Sequence, residues 1–231
     1  MSVRKLIAGA LAFAAFTPAH DVITTPITFS REISRLFYHR CVECHHDGGS
    51  AFSLVNYAEA RPWAKAIKEE VLERRMPPWG AVKGFADYRD DQGLTQEQLE
   101  VISQWVEGGA PEGDPKLLPP VPDLPKPAPP AMPPGTSVDG ALTLNAPLTV
   151  AGIRPGTVAD GRTLMVVASR PDGQIDPLLW LYNFKPRFAH PYWFAAPLRL
   201  PKGTRIEISP AQSGSVVLLT ARRNKNTDEH R

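Results

Sequence analysis

Apolar positions repeat with a helical period in the first half of the chain and as short strand-like runs in the second. Ile33, Leu36 and Phe37 share one face of a short helix that Ser30 can cap and that runs toward His39. Asn56 and Glu59 have capping-box spacing ahead of a second helix, which Pro62 suits at its first turn. There Trp63, Ile67 and Val71 recur every four residues, with Ala66 beside them, so one stripe faces inward. Glu70 and Arg74 are spaced to pair on the opposite side. Met76-Pro77-Pro78 cannot continue the helix, which therefore ends at Arg75. Gly80 to Gly93 is polar and reads as a surface loop. Thr95 and Gln98 frame a second capping box, with Leu94 set to staple against Leu99. Ile102, Trp105 and Val106 then carry a third helix to Gly108-Gly109.

From Pro111 to Pro134 nearly every second residue is proline, without apolar periodicity, as in a semi-rigid polyproline spacer. Strand signals follow. Thr163 to Ala168 is a β-branched run closed by the turn Pro171-Asp172-Gly173. Leu178 to Tyr182, Tyr192 to Phe194, and Leu198 to Leu200 come next, the last broken by Pro201-Lys202-Gly203. Arg205 to Ile208 alternates with period two, and Val216 to Ala221 is the final run. Short strands between Pro and Gly turns predict a β-sandwich. The expected architecture is multidomain α + β: a small α-helical domain at 20–114, a Pro-rich linker at 115–135, an all-β sandwich-like domain at 136–221 and a polar tail at 222–231.

Ahead of these, Arg4-Lys5, an apolar run from Leu6 to Phe16 and the small residues around Ala19 have the build of a secretory signal peptide at 1–19. The run is short of the ~20 residues a bilayer span takes, so no stable span is expected in the mature chain. The expected location is periplasmic or secreted. The formal charge of +2 conceals an uneven spread. Between Asp21 and Pro115, 10 Lys and Arg stand against 16 Asp and Glu, about −6; from Thr136 onward 12 stand against 7, about +5. The basic residues of the second half are scattered, which argues against a nucleic-acid partner.

The chemistry concentrates in Cys41-Val42-Glu43-Cys44-His45. Two thiols three positions apart can each add to a vinyl group of one haem, and the next residue supplies an imidazole for the iron, the signature of c-type haem attachment. The alternative, a disulfide or thioredoxin-like redox pair, leaves His45 unexplained and lacks a βαβ context. These are the chain's 2 cysteines, too few for a zinc site of four thiolates. Haem burial also adds the apolar area that a domain of roughly 90 residues is short of.

A second axial ligand is then expected, and Met76, at a helix end before two prolines, is the candidate; its alternative is core filling. Met132 and Met165 lie outside that domain. His46 reads as a surface residue, His39 as too close to Cys41 to ligate, and His190 as an ordinary hydrogen-bonded or exposed histidine. Arg74, Arg75 and the Trp79 indole are candidates for the haem propionates, against a solvated helix end; Trp63 and Trp105 read as packing residues.

Taken together, Cys-x-x-Cys-His-His-Asp-Gly-Gly, Phe52-Ser53-Leu54-x-x-Tyr57, Ala60-Arg61-Pro62-Trp63, Arg75-Met76-Pro77-Pro78-Trp79 and Trp105-Val106-x-x-Gly109-Ala110-Pro111-Glu112-Gly113 resemble the monohaem c-type cytochrome domain of secreted bacterial proteins. The resemblance covers Ile27 to Asp114 and implies one covalent haem c with Met76 as sixth ligand. No proline soon after His45 offers the imidazole a carbonyl, so its outer partner is unassigned. In that family the domain often precedes a copper type II, ascorbate-dependent monooxygenase-like region. Arg170-Pro171-Asp172-Gly173, Leu178-Leu179-Trp180, Tyr192-Trp193 and Pro197 to Thr204 are similar to part of one such sandwich. The family's His-x-His copper pair is missing, so the resemblance does not carry its oxygenase chemistry here. The expected function is a periplasmic electron carrier without substrate chemistry, its β domain serving docking or assembly and its redox partners offering a basic face. The alternatives are an electron-donating subunit, or degenerate form, of a copper monooxygenase-like enzyme, and a peroxidase with open iron.

Overall fold

A computed structural model describes residues 26–124 and 131–220. The expected signal peptide and polar tail lie outside the described residues, as does the middle of the Pro-rich stretch. Among the described residues no helix is long and apolar enough to cross a membrane.

Helices come first. A π-helical turn, Phe29–Ile33, runs into α1 (Ser34–Arg40), followed by α2 (Tyr57–Ala60), α3 (Ala64–Leu72) and α4 (Gln96–Glu107). The N-terminus of the first turn falls at Thr28, not Ser30, and Ser30 is buried inside it. Expected as a cap, Ser30 instead donates its backbone N–H to the Glu112 carbonyl at 2.8 Å, while Phe29 N–H reaches the Pro111 carbonyl at 3.0 Å. The start of the proline-rich stretch is thus part of the helical body. The Asn56 side chain caps Glu59 N–H at 3.0 Å, but Glu59 answers to Ser53 and not to the cap residue. Thr95 and Gln98 form the complete capping box at the start of α4.

The inward stripe around α3 is Ala60, Ala64, Ile67 and Val71. Arg61–Trp63 forms a 3-10 turn first, which rotates the register, so the expected members Trp63 and Ala66 are exposed. Trp105 is fully buried, packs against Phe29 and Phe37, and donates its indole N–H to the Pro111 carbonyl at 3.0 Å.

The second half forms two antiparallel four-stranded sheets, in the orders β1-β8-β3-β6 and β2-β7-β4-β5. The strands are β1 (Thr136–Asp139), β2 (Ala141–Thr143), β3 (Leu148–Pro155), β4 (Leu164–Ser169), β5 (Ile175–Leu181), β6 (Tyr192–Leu200), β7 (Arg205–Ser209) and β8 (Ser215–Thr220). Leu164, Val166 and Ala168 alternate inward from β4 to meet Ile153, Tyr192 and Leu218 from the other sheet in one core. The two runs expected at 192–194 and 198–200 are one strand, and β1 to β3 were not anticipated.

The expected surface loop after α3 is not one. Trp79, Ala81 and Tyr88 are buried in the β core. Val82 N–H reaches the Trp180 carbonyl at 2.8 Å and Tyr182 N–H the Gly80 carbonyl at 3.0 Å, so the segment adds to the free edge of β5. Arg89 N–H to Trp193 (2.9 Å) and Ala195 N–H to Asp87 (3.0 Å) add its other end to the free edge of β6. Residues 79–89 therefore form a strap joining the edges of both sheets. Edge strands carry a row of unpaired backbone groups, which such a cover satisfies.

Candidate functional site

The cysteine motif is a single helical-type turn continuing α1. Cys41 N–H donates to the Phe37 carbonyl at 2.8 Å, and the Cys41 carbonyl accepts from Cys44 N–H at 3.1 Å and His45 N–H at 2.9 Å. Residues three and four apart on such a turn share a face, so Cys41, Cys44 and His45 are brought together. The chain then folds back: Gly49 N–H bonds the His46 carbonyl at 2.9 Å and Ala51 N–H the Cys44 carbonyl at 3.1 Å. A Cβ on Gly49 would lie 2.4 Å from the Cys44 oxygen, so only glycine fits this approach. Both thiols are free, Cys41 partly buried and Cys44 exposed. Burial pushes the Cys41 thiol up to about 12, with Cys44 adding and Arg40 opposing. Reactive redox cysteines have the opposite shift, which counts against the redox-pair reading.

His45 has its orientation fixed from outside the motif. Its Nδ1 lies 2.9 Å from the Phe52 carbonyl oxygen. A carbonyl can only accept, so Nδ1 carries the hydrogen and Nε2 keeps its lone pair. This is the outer partner that the sequence left unassigned, supplied by Phe52 in place of a proline carbonyl. Burial holds the His45 pKa below its ordinary value, with the Phe52 bond opposing. The Phe52 ring stands edge-on to the imidazole at 4.9 Å and stacks on Trp63 at 4.4 Å. Phe52 and Trp63 are each 46% exposed, an apolar ledge beside the motif and not the packing role expected of Trp63.

Met76 comes to the same helical core from elsewhere. Arg74, at φ 58°, turns the chain after α3. Arg75 and Met76 N–H both donate to the Glu70 carbonyl, at 2.9 and 3.2 Å. Met76 and Cys41 both pack against the core that holds Ile67, Val71 and Trp105. The expected Glu70–Arg74 pair does not form. With Arg74 turned away to the Leu94 carbonyl at 3.0 Å, Glu70 takes Arg75 at 2.8 and 3.0 Å. Glu73 adds a further bond to Arg75 at 2.9 Å. A cavity of about 110 Å³ beside Met76 is lined by Trp79, Gly80, Phe184 and Tyr192. It is smaller than the ~300–1,000 Å³ of a ligand cleft, so it is not itself a cofactor pocket.

His46 is buried, contrary to expectation, because the fold-back at Gly49 turns it inward; neither ring nitrogen has a hydrogen-bond partner. His190 Nδ1 lies 2.8 Å from the Phe188 carbonyl, leaving a buried Nε2 without a partner. Its ring packs on Trp79 at 4.8 Å and Tyr192 at 4.5 Å. Burial lowers its pKa, with the Phe188 bond and the charge of Glu43 opposing. Glu43 belongs to the cysteine turn, so the start of β6 lies close to the motif. The Trp79 indole N–H is likewise buried without an acceptor. Among the described residues no group of three or more His, Cys, Asp or Glu side chains is arranged to hold a metal ion.

The donor set fits a covalently held haem: two thiols and one imidazole on a single turn, the imidazole in the tautomer that leaves Nε2 open, and an apolar aromatic ledge alongside. Comparison with protein-family models, with characterised proteins and with solved structures finds no match to the chain.

Proposed function

We propose that the protein is a single-haem c-type cytochrome that passes electrons between redox partners on the far side of a bacterial inner membrane. The Cys41 and Cys44 thiols would hold the haem through its two vinyl groups, each thiol adding its sulfur to one carbon and its hydrogen to the other. His45 Nε2 and the Met76 sulfur would hold its iron. The bound haem supplies a one-electron couple at its iron. The observation that carries the reading is the Phe52 carbonyl on His45 Nδ1, an outer-partner bond of the kind that orients a metal-ligating histidine. The chain's own residues do the rest: the turn fixes the thiols, Phe52 fixes the imidazole, and a thioether opposite histidine holds the potential high. The β half serves docking or assembly, and redox partners approach with a basic face toward the acidic helical half.

An absorption spectrum of the purified full chain tests this. Low-spin reduced bands and a weak near-infrared methionine charge-transfer feature are expected. Met76→His should keep the iron low-spin at a lower potential, and Met76→Ala should open a position for azide or carbon monoxide. A colourless protein, from a host competent in haem attachment, overturns the reading.

A further inference from the structure

The strap begins three residues after Met76, and its first anchor is a side chain of the β half. Tyr192, fully buried in β6, donates its hydroxyl to the Trp79 carbonyl at 2.6 Å. Trp79 packs edge-on against the Tyr192 ring at 4.9 Å and against Tyr88 at 6.0 Å. Tyr88 in turn donates to the Leu178 carbonyl of β5 at 2.9 Å. Gly80 follows at φ 77°, where a Cβ would meet the Tyr192 hydroxyl at 3.1 Å. Only Pro77 and Pro78 separate Met76 from this anchor, and their rings fix φ in both. Trp79 N–H also bonds back to the Pro77 carbonyl at 2.8 Å. With φ fixed in both prolines and Trp79 N–H held to Pro77, the backbone between Met76 and Trp79 has few torsions left to absorb a displacement.

From this geometry we infer that Tyr192 is a positioning residue for Met76: the β half clamps the distal ligand by holding the chain immediately beyond it. The inference rests on the cytochrome reading and assigns the sandwich a part in it. Backbone motion that drew Met76 off the iron would pull on Trp79 through the prolines, so release by that route would be coupled to loosening of the Tyr192 hydroxyl bond. Removing that hydroxyl while keeping the ring raises the population of the open state. An external ligand that binds only the open state then binds more tightly in proportion to that population.

The test compares the haem-loaded full chain with its Tyr192→Phe variant, using imidazole as the probe ligand of ferric protein and following the near-infrared methionine feature against pH. One neutral hydrogen bond corresponds to an imidazole affinity about 5-fold to 10-fold higher, with the methionine feature lost at lower pH. Tyr182→Phe is the control, because Tyr182 is exposed and touches the strap through its backbone N–H to Gly80; its affinity should match the parent. Should Tyr192→Phe fail to accumulate, Gly80→Ala presses on the same hydroxyl and should shift both readouts in the same direction. Parent-like imidazole affinity and pH midpoint in Tyr192→Phe overturn the clamp while leaving the cytochrome reading intact. Absence of the methionine feature from the parent itself overturns both.

Discussion

The two halves of the chain solve the same problem, burying a core, by unlike means. The β half closes its core with two full sheets and the strap across their edges: residues from both sheets interleave with Trp79 and Tyr88, and Tyr192, Leu178 and Leu181 are fully buried. The helical half closes its core with short elements, the longest being α4 (Gln96–Glu107), around Phe29, Phe37 and Trp105. Each half leaves large aromatics open to solvent, Trp180 and Tyr182 in the β half, but in the helical half Phe52 and Trp63 stack on each other beside the cysteine turn. A body this small buries too little area to be comfortable alone. On the proposed reading, a haem at the ledge would add the apolar area that the helical half is short of, and the sandwich would need none.

The largest expected effect is that of the paired change Cys41→Ala with Cys44→Ala. It should abolish haem that survives denaturing gels and destabilise the helices far more than the strands, read as loss of helical circular dichroism with sheet signal retained. Equal loss from both halves would erase the contrast. Next comes Trp105→Ala, which empties the centre of the helical core and strands the Pro111 carbonyl that the indole N–H satisfies. Large aromatic truncations cost about 3–5 kcal/mol. Haem absorbance should then be lost at a lower temperature than sheet structure, and a single joint transition would speak against independent cores.

A smaller effect concerns charge. The helical half is acidic and the β half basic, so a basic redox partner should meet the former with rates that fall by about 10-fold or more as salt rises. Electron-transfer rates that stay flat from low to high salt would remove the asymmetry. The smallest is a pH effect at the seam. Burial keeps the folded-state pKa of His190 low, so the unfolded chain takes its proton first. Stability attached to this residue is present above about pH 6.5, the ordinary histidine value, and declines as pH falls through that window. His190→Gln should flatten that decline in chemical denaturation curves between neutral and mildly acid pH.

Legibility in the sequence followed the range of the interaction. The Thr95–Gln98 box and the helix it starts, the β-branched run of β4, the alternation of β7, and the spacing of the cysteine turn are local patterns, and each stands as an element of the fold. Errors came where distant chain decides. Ser30 is a good capping residue by type, but the carbonyl of Glu112 takes its backbone N–H and draws it inside. His46 is polar and sits beside a turn, yet a close approach at Gly49 buries it. Strands β1 and β2 are only 4 and 3 residues long, and β3 carries Gly152 and Pro155, so they show only once their partners are in place. The strap is the plainest case: Ala81 and Tyr88 have no shared period, and nothing within reach along the chain explains their burial. At the candidate site the sequence offers Cys41, Cys44, His45 and Met76 as candidates but not the support of His45, because the Phe52 carbonyl is a backbone group with no residue signature.

The strap also orders events in time. Trp79 and Tyr192 are 113 positions apart, and Tyr88 and Leu178 are 90 apart. A chain made from its N-terminus presents Cys41, Cys44, His45 and Met76 well before the strands that hold the strap exist. During that interval the motif stands complete while the segment beyond Met76 is still free to swing aside. On the proposed reading, attachment of a bulky planar group would have its opening early, and arrival of β6 would shut it. A truncation ending before Tyr192 would keep the chain in that open stage.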